Sequence, residues 1–161
     1  MIGNIKIIAV CMCKVYDERN YRIIRALNNF AVENDYRLFV YHTCSDLYWK
    51  TLSEKGEQSV FDLIDYNITD AVVTFEEGVY AENIMTKIRM DAAEYGKPVI
   101  SVGVEHDDCI SIKFDYAKGF EQVVRHVIEQ HGVRDIGFIR QKRRRKFRRA
   151  YSSFQKDTRG A

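Results

Sequence analysis

The sequence predicts an α/β protein, a doubly wound parallel sheet with helices on both faces. Three observations predict it. Continuous apolar, β-branched runs such as IKIIAVCM and DAVVTF read as strands covered on both sides. Segments with apolar residues at helical spacing alternate with these runs. The joints between them are short, which gives parallel pairing through crossover connections.

The elements follow in order. IKIIAVCM is the first strand. Tyr21, Ile24, Leu27 and Ala31 recur at helical spacing, and the helix they form ends near Asn34-Asp35. YRLFVYH is the second strand. SVFDLIDYN reads as a short helix with Ser59 as its cap. DAVVTF is the third strand. AENIMTKIRMDAAEYG is a helix with Ile84, Met85 and Ile88 on one side and Gly96 as its stop. PVISVGV and CISIKF are two further strands. AKGFEQVVRHVIEQHG is a helix built on Phe120, Val123, Val124, Val127 and Ile128 and closed by Gly132. DIGFI is expected to be a last strand.

In such a sheet ligands bind beyond the carboxyl ends of the strands. Those ends are Cys13–Asn20, His42–Asp46, Glu76–Val79 and Gly103–Asp107. They supply Tyr16, Asp17, Asn20, Tyr21, Thr43, Glu76 and Gly103 as candidate contacts for a small polar ligand. The segment Val15–Tyr21 is the strongest of them. It follows the first strand, precedes a helix N-terminus with free amides, and mixes aromatic with hydrogen-bonding groups. Its plainer reading is a capping loop with Asp17 as the helix cap.

Other chemistry is weighed against plainer roles. Cys13, His42 and Cys44 end neighbouring strands and are ligand types that zinc accepts, but no fourth ligand is evident and buried cysteine is usually an apolar filler. Glu76-Glu77 has the composition of an acid–base pair, yet sequence neighbours point apart, and solvated surface is the plainer expectation. Tyr48 and Trp49 read as packing bulk or as a stacking platform. His126 reads as a surface or interface histidine. No phosphate-loop, zinc-protease or nucleophile-elbow motif occurs. No catalytic residue, metal or cofactor is therefore expected; a doubly wound enzyme domain using Cys13 and Glu76 is the competing class.

Charge divides the chain. Residues 141 to 161 hold nine Lys/Arg and one Asp, net +8, while residues 1 to 140 hold 16 Lys/Arg and 22 Asp/Glu, net −6. The N-terminus is no secretion signal and no run reaches membrane-spanning length, so no membrane partner is expected. Four cysteines without an export signal fit a reducing, cytoplasmic setting.

The ordered set of elements resembles the ligand-binding core of the LacI/GalR regulators, whose fold is of the periplasmic-binding-protein type. IAVCMCKVYDERNYRIIRALNNFAVENDYRLFVYHT matches the family's first strand–helix–strand unit. TDAVVTFEE is similar to its VDGIILAPS, GKPVISVG to GIPVVLID, and ISIKFDYAKGFEQVVRHVIEQHGVRDIGFI to DSVGVDNEAGAYLATRHLIELGHRRIAFI. The resemblance runs from Ile5 to Arg140. It implies a first lobe at residues 1–114, a crossing at Asp115 that adds this residue to the ligand contacts, and a truncated second lobe at 115–140.

It also implies a sensor that closes two lobes on its ligand; in the truncated second lobe the apolar face of the helix Gly119–His131 is left exposed, and self-association through the lobe is expected. Arg19 and Asn20 stand where sugar-binding members carry an aromatic pair, Gly103 where an Asp is usual, and Glu76-Glu77 where Pro-Ser is usual. No DNA-binding headpiece precedes the first strand. That arrangement resembles the N-terminal sensor of some GGDEF diguanylate cyclases, acting on an output domain absent here, more than a LacI-type transcriptional regulator.

After GFIR the family continues with a helix of the type SGERIAAFKKTLEE. Residues 147–161, read one nucleotide out of frame with suitable synonymous codons, give that same string. Gln155 and Lys156 can then yield only Lys or Arg, and Asp157 only Ile or Thr. Residues 141–161 are accordingly expected to be a frameshifted, disordered basic tail rather than a phosphate-neutralising nucleic-acid arm. No specific nucleic-acid partner is expected.

Overall fold

The computed structural model describes residues 5–77 and 79–137. The chain divides into two units, Met1–Lys113 and Phe114–Ala161.

The first unit is built on a five-stranded sheet in the order β2-β1-β3-β4-β5, with every pairing parallel. The strands are β1 (Lys6–Cys13), β2 (Tyr36–Thr43), β3 (Ala71–Phe75), β4 (Val99–Val102) and β5 (Ile110–Ile112); the helices are α1 (Glu18–Glu33), α2 (Leu52–Gln58) and α3 (Glu82–Glu94). β1 is central and its run Ala9–Cys13 is buried on both faces, as a continuous apolar strand requires. Right-handed crossovers in this strand order put α1 on one face and α2 and α3 on the other. On the α3 side Ala9, Cys11, Val72 and Val99 pack with Phe61, Ile64, Tyr66, Met85, Ile88 and Ala92 into one core.

One predicted helix starts elsewhere. Residues Ser59–Leu63 form a 3-10 turn at the end of α2. Ser59 is no N-cap; its hydroxyl donates to the Gly56 carbonyl. The true cap is Thr51, in a capping box with Glu54 that satisfies two free amides reciprocally. The sequence carries that signature in the three-residue spacing of Thr51 and Glu54, just ahead of the more apolar SVFDL stretch.

The β4–β5 connection, Gly103–Cys109, holds no helix. Parallel neighbours normally need a dozen or more connecting residues. Here the short loop is held by side chains instead, as described below.

In the second unit, α4 (Tyr116–His131) begins at Asp115, whose carboxylate accepts from the Lys118 amide at 3.0 Å. It ends at Gly132, which adopts φ +63°, the left-handed cap that glycine supplies without strain. Its face is amphipathic but none of its residues is buried. Residues 132–137 are not a strand, so the predicted DIGFI strand is not found at Asp135–Gly137; its remainder and the whole basic tail lie outside the described residues. Among the described residues no helix is long and apolar enough to cross a membrane.

Candidate functional site

The ends of β1 and β2 are tied together first. The Lys14 amide donates to the Thr43 carbonyl at 2.7 Å, and Lys14 holds φ +51°, a left-handed turn that lets the chain leave the sheet. The Asn20 amide group donates to both the Cys13 and Lys14 carbonyls at 3.0 Å. The Lys14 carbonyl also accepts from the Asp17 amide at 3.1 Å, so Asn20 is a brace between α1 and the end of β1, and its side chain is already engaged. Asp17 occupies the N-cap of α1, but its side chain makes no cap hydrogen bond; its backbone carbonyl receives the Tyr21 amide at 2.9 Å.

Thr43 is 1% exposed and is not offered to a ligand. Its hydroxyl lies 2.9 Å from Cys13 Sγ and 2.7 Å from the Ser45 carbonyl. One hydroxyl proton cannot serve both acceptors. Burial pushes the Cys13 thiol up to about 11, so the thiol stays protonated and can fill the second contact. Cys11, deeper in β1, is pushed to about 12 by the same cause. His42 sits edge-on to Tyr16, ring centroids 5.4 Å apart, and Cys44 is exposed. Among the described residues no three His, Cys, Asp or Glu side chains are arranged to hold a metal.

Aromatic groups face outward at this edge. Tyr16 is 78% exposed and Trp49 is 76% exposed. The loop carrying Trp49 is pinned at Leu47, which is fully buried at φ +60°, and at Lys50 at φ +55°. Left-handed backbone at bulky residues stores strain and persists only where packing imposes it. Tyr48 bridges Trp49 and Tyr80 edge-on, at 4.9 and 5.0 Å. The neighbouring strand ends also carry the ion pairs Lys14–Asp46 at 3.1 Å and Arg19–Glu77 at 2.7 Å.

The end of β3 is different. Glu76 is buried, not solvated surface, and meets four donors: Thr74 Oγ1 at 3.0 Å, Arg89 Nη1 at 3.1 Å, Ser101 Oγ at 3.1 Å and His106 Nε2 at 2.8 Å. His106 Nε2 also lies 3.1 Å from Arg89 Nη1. The carboxylate only accepts, so the contact with Glu76 needs a proton on His106 Nε2; arginine only donates, so its approach to that same protonated nitrogen is then a close contact and not a hydrogen bond. Arg89, on α3, reaches on to Asp108 at 3.4 Å, and Ser111 closes on the His106 backbone. This cluster fastens the helix-free loop Gly103–Cys109. Gly103 itself has φ +96°, and a Cβ there would stand 2.7 Å from Glu77 Cβ. Close packing, rather than ligand contact, accounts for that glycine.

Sequence reasoning thus places Tyr16, Asp17, Asn20, Tyr21 and Thr43 together at the β1–β2 end. It gives Asn20, Thr43, Glu76 and Gly103 a ligand role where the structure gives them partners within the fold. It leaves Arg89 and His106 out of the candidate contacts and takes packing bulk as the plainer reading of Trp49, which the structure leaves 76% exposed. Asp115 lies in the second unit as the cap of α4.

With this geometry in place, the comparisons bear on the fold. No family model matches the chain, and no curated protein matches it. A solved structure, the LacI family transcriptional regulator CCPA from Weissella paramesenteroides with bound glucose, superposes with a TM-score of 0.61 at 13% identity. The likeness covers 93% of this chain and 55% of that one. It shows the fold. The chain has the periplasmic-binding-protein-like α/β architecture of that ligand-binding domain, and spans about half of the regulator's length.

Proposed function

We propose that the chain is a non-catalytic small-molecule-sensing core of the regulator type, with its ligand at the carboxyl edge of β1 and β2. The observation that carries this reading is the exposed aromatic set Tyr16, Tyr21, Tyr48 and Trp49, together with two ion pairs, at the place where a doubly wound sheet binds ligands. Aromatic faces and paired charges suit a small polar molecule with an apolar side. Tyr16 and Asp17 from one loop and Trp49 from the other are its expected contacts. In a complete two-lobed protein, ligand shifts an equilibrium between open and closed lobes.

The regulator reading is favoured over a sensor for a GGDEF diguanylate cyclase, because the structural likeness is to a regulator; the cyclase link rests on sequence resemblance. The genomic sequence beyond codon 161 tests both, and tests the frameshifted tail. A second lobe in another frame supports the tail reading, and a cyclase domain beyond it would reverse the preference.

Trp49 is the single tryptophan of the chain, so ligand binding has a built-in reporter. Titration with a panel of monosaccharides, glucose first because the neighbour holds it, and then of small polar metabolites should shift Trp49 emission for at least one compound. Compounds bound by calorimetry with no change in Trp49 emission would place the site elsewhere.

A further inference from the structure

The C-terminal part of α4 carries two histidines that the sensing role does not use. His126 and His131 are exposed, their Nε2 atoms stand 3.3 Å apart, and their rings meet edge-on at 5.1 Å. Residues five apart on a regular helix lie about 140° apart around its axis, so such a meeting is not given by spacing alone. It occurs because His131 is the last helical residue, next to the left-handed Gly132.

Two neutral imidazoles at this distance can share a proton. The same distance is also that between two ligands of one tetrahedral ion: bonds of about 2.0–2.1 Å to imidazole nitrogen set a ligand–ligand edge of about 3.3–3.4 Å. The surroundings favour a cation. The carboxyl end of a helix carries partial negative charge. The nearby Arg125 is offset by Glu121 at 2.7 Å and Glu129 at 3.8 Å. Glu129 and Gln130, with oxygen donors, line the same surface depression as His126.

We infer that His126 and His131 form a chelating site for a divalent ion of the class imidazole prefers, namely zinc, nickel or copper(II). Both rings take the Nδ1–H tautomer and turn their Nε2 lone pairs to the ion. The protein supplies two ligands and water completes the shell, so the site is open and of modest affinity. Binding closes a ring from residue 126 to residue 131 and fixes the helix end.

The test is calorimetric titration of the full chain with Zn2+ in a Cys44→Ser background, which removes the exposed thiol as a competitor. One ion per chain is expected. His126→Asn and His131→Asn should each weaken binding by about a hundredfold, the scale of losing one arm of a two-point attachment. His42→Asn should leave it unchanged. Both substitutions are at exposed positions, and far-ultraviolet circular dichroism verifies that α4 persists. No binding by the parent protein, or undiminished binding in either single variant, would overturn the site.

Discussion

At the end of β3, Glu76 is 7% exposed and meets four protein donors. At the ends of the adjoining β1 and β2, Tyr16 and Trp49 are more than three-quarters exposed. Both stretches belong to one sheet edge. The first uses a charge for structure: a buried carboxylate and a buried guanidinium hold a loop that has no crossover helix. The second uses strain and hydrogen bonds to present aromatic groups to solvent. Polar residue type at a strand end therefore does not by itself separate a ligand contact from a brace of the fold.

The contrast is broken most severely at Arg89. Arg89→Met leaves Glu76 buried without its cation and should cost about 3–5 kcal/mol in urea unfolding. The double variant Glu76→Leu/Arg89→Met should recover most of that loss, because a buried pair contributes little beyond an apolar isostere. A small loss in the single variant would show that the cluster is solvated and the contrast false.

Alkali probes the buried side independently. The Cys11 and Cys13 thiols stand at about 12 and about 11 against an ordinary 9.0. A group whose pKa is higher folded than unfolded stabilises the fold below the unfolded value and loses that contribution as pH rises through the folded one. Stability should thus fall between about pH 9 and 12. Each thiol that is ionised only in the unfolded chain contributes a slope of roughly 1.4 kcal/mol for every step of one in pH. Cys11→Ala should flatten the profile; an unchanged slope would contradict the burial.

Asn20→Ala comes next. It removes two hydrogen bonds to the end of β1 and should cost about 1–2 kcal/mol. A neutral outcome would return Asn20 to the ligand-facing group. Smallest are Tyr16→Ala and Trp49→Ala, each expected to change stability by no more than about 0.5 kcal/mol. For a compound bound at this edge, either should lower affinity by about 1 kcal/mol, the scale of an aromatic contact.

Much of the fold was legible in the chain. Ala9–Cys13 could only be a strand buried on both faces, and Gly96 and Gly132 marked helix ends that the backbone reaches at positive φ. The fold-internal roles of the residues at the strand ends were not legible. Glu76 finds Arg89 and His106 at separations of 13 and 30 residues, which no local pattern reveals. A faint signal existed: Thr74 and Glu76 stand two apart at the end of an apolar strand, and Ser101 pairs with Thr74 in the next strand. Inward polar residues at strand spacing imply a buried partner. Asn20 reads as a ligand group in the sequence because its carbonyl acceptors belong to the backbone, which a sequence pattern does not display.

The most direct measurement is nuclear magnetic resonance shift mapping of the full chain with a compound that alters Trp49 emission. The account predicts shifts confined to Val15–Tyr21 and Ser45–Lys50, with the resonances of Glu76, Arg89 and His106 unmoved. Shifts centred on Glu76, Arg89 and His106, with Tyr16 and Trp49 silent, would contradict it.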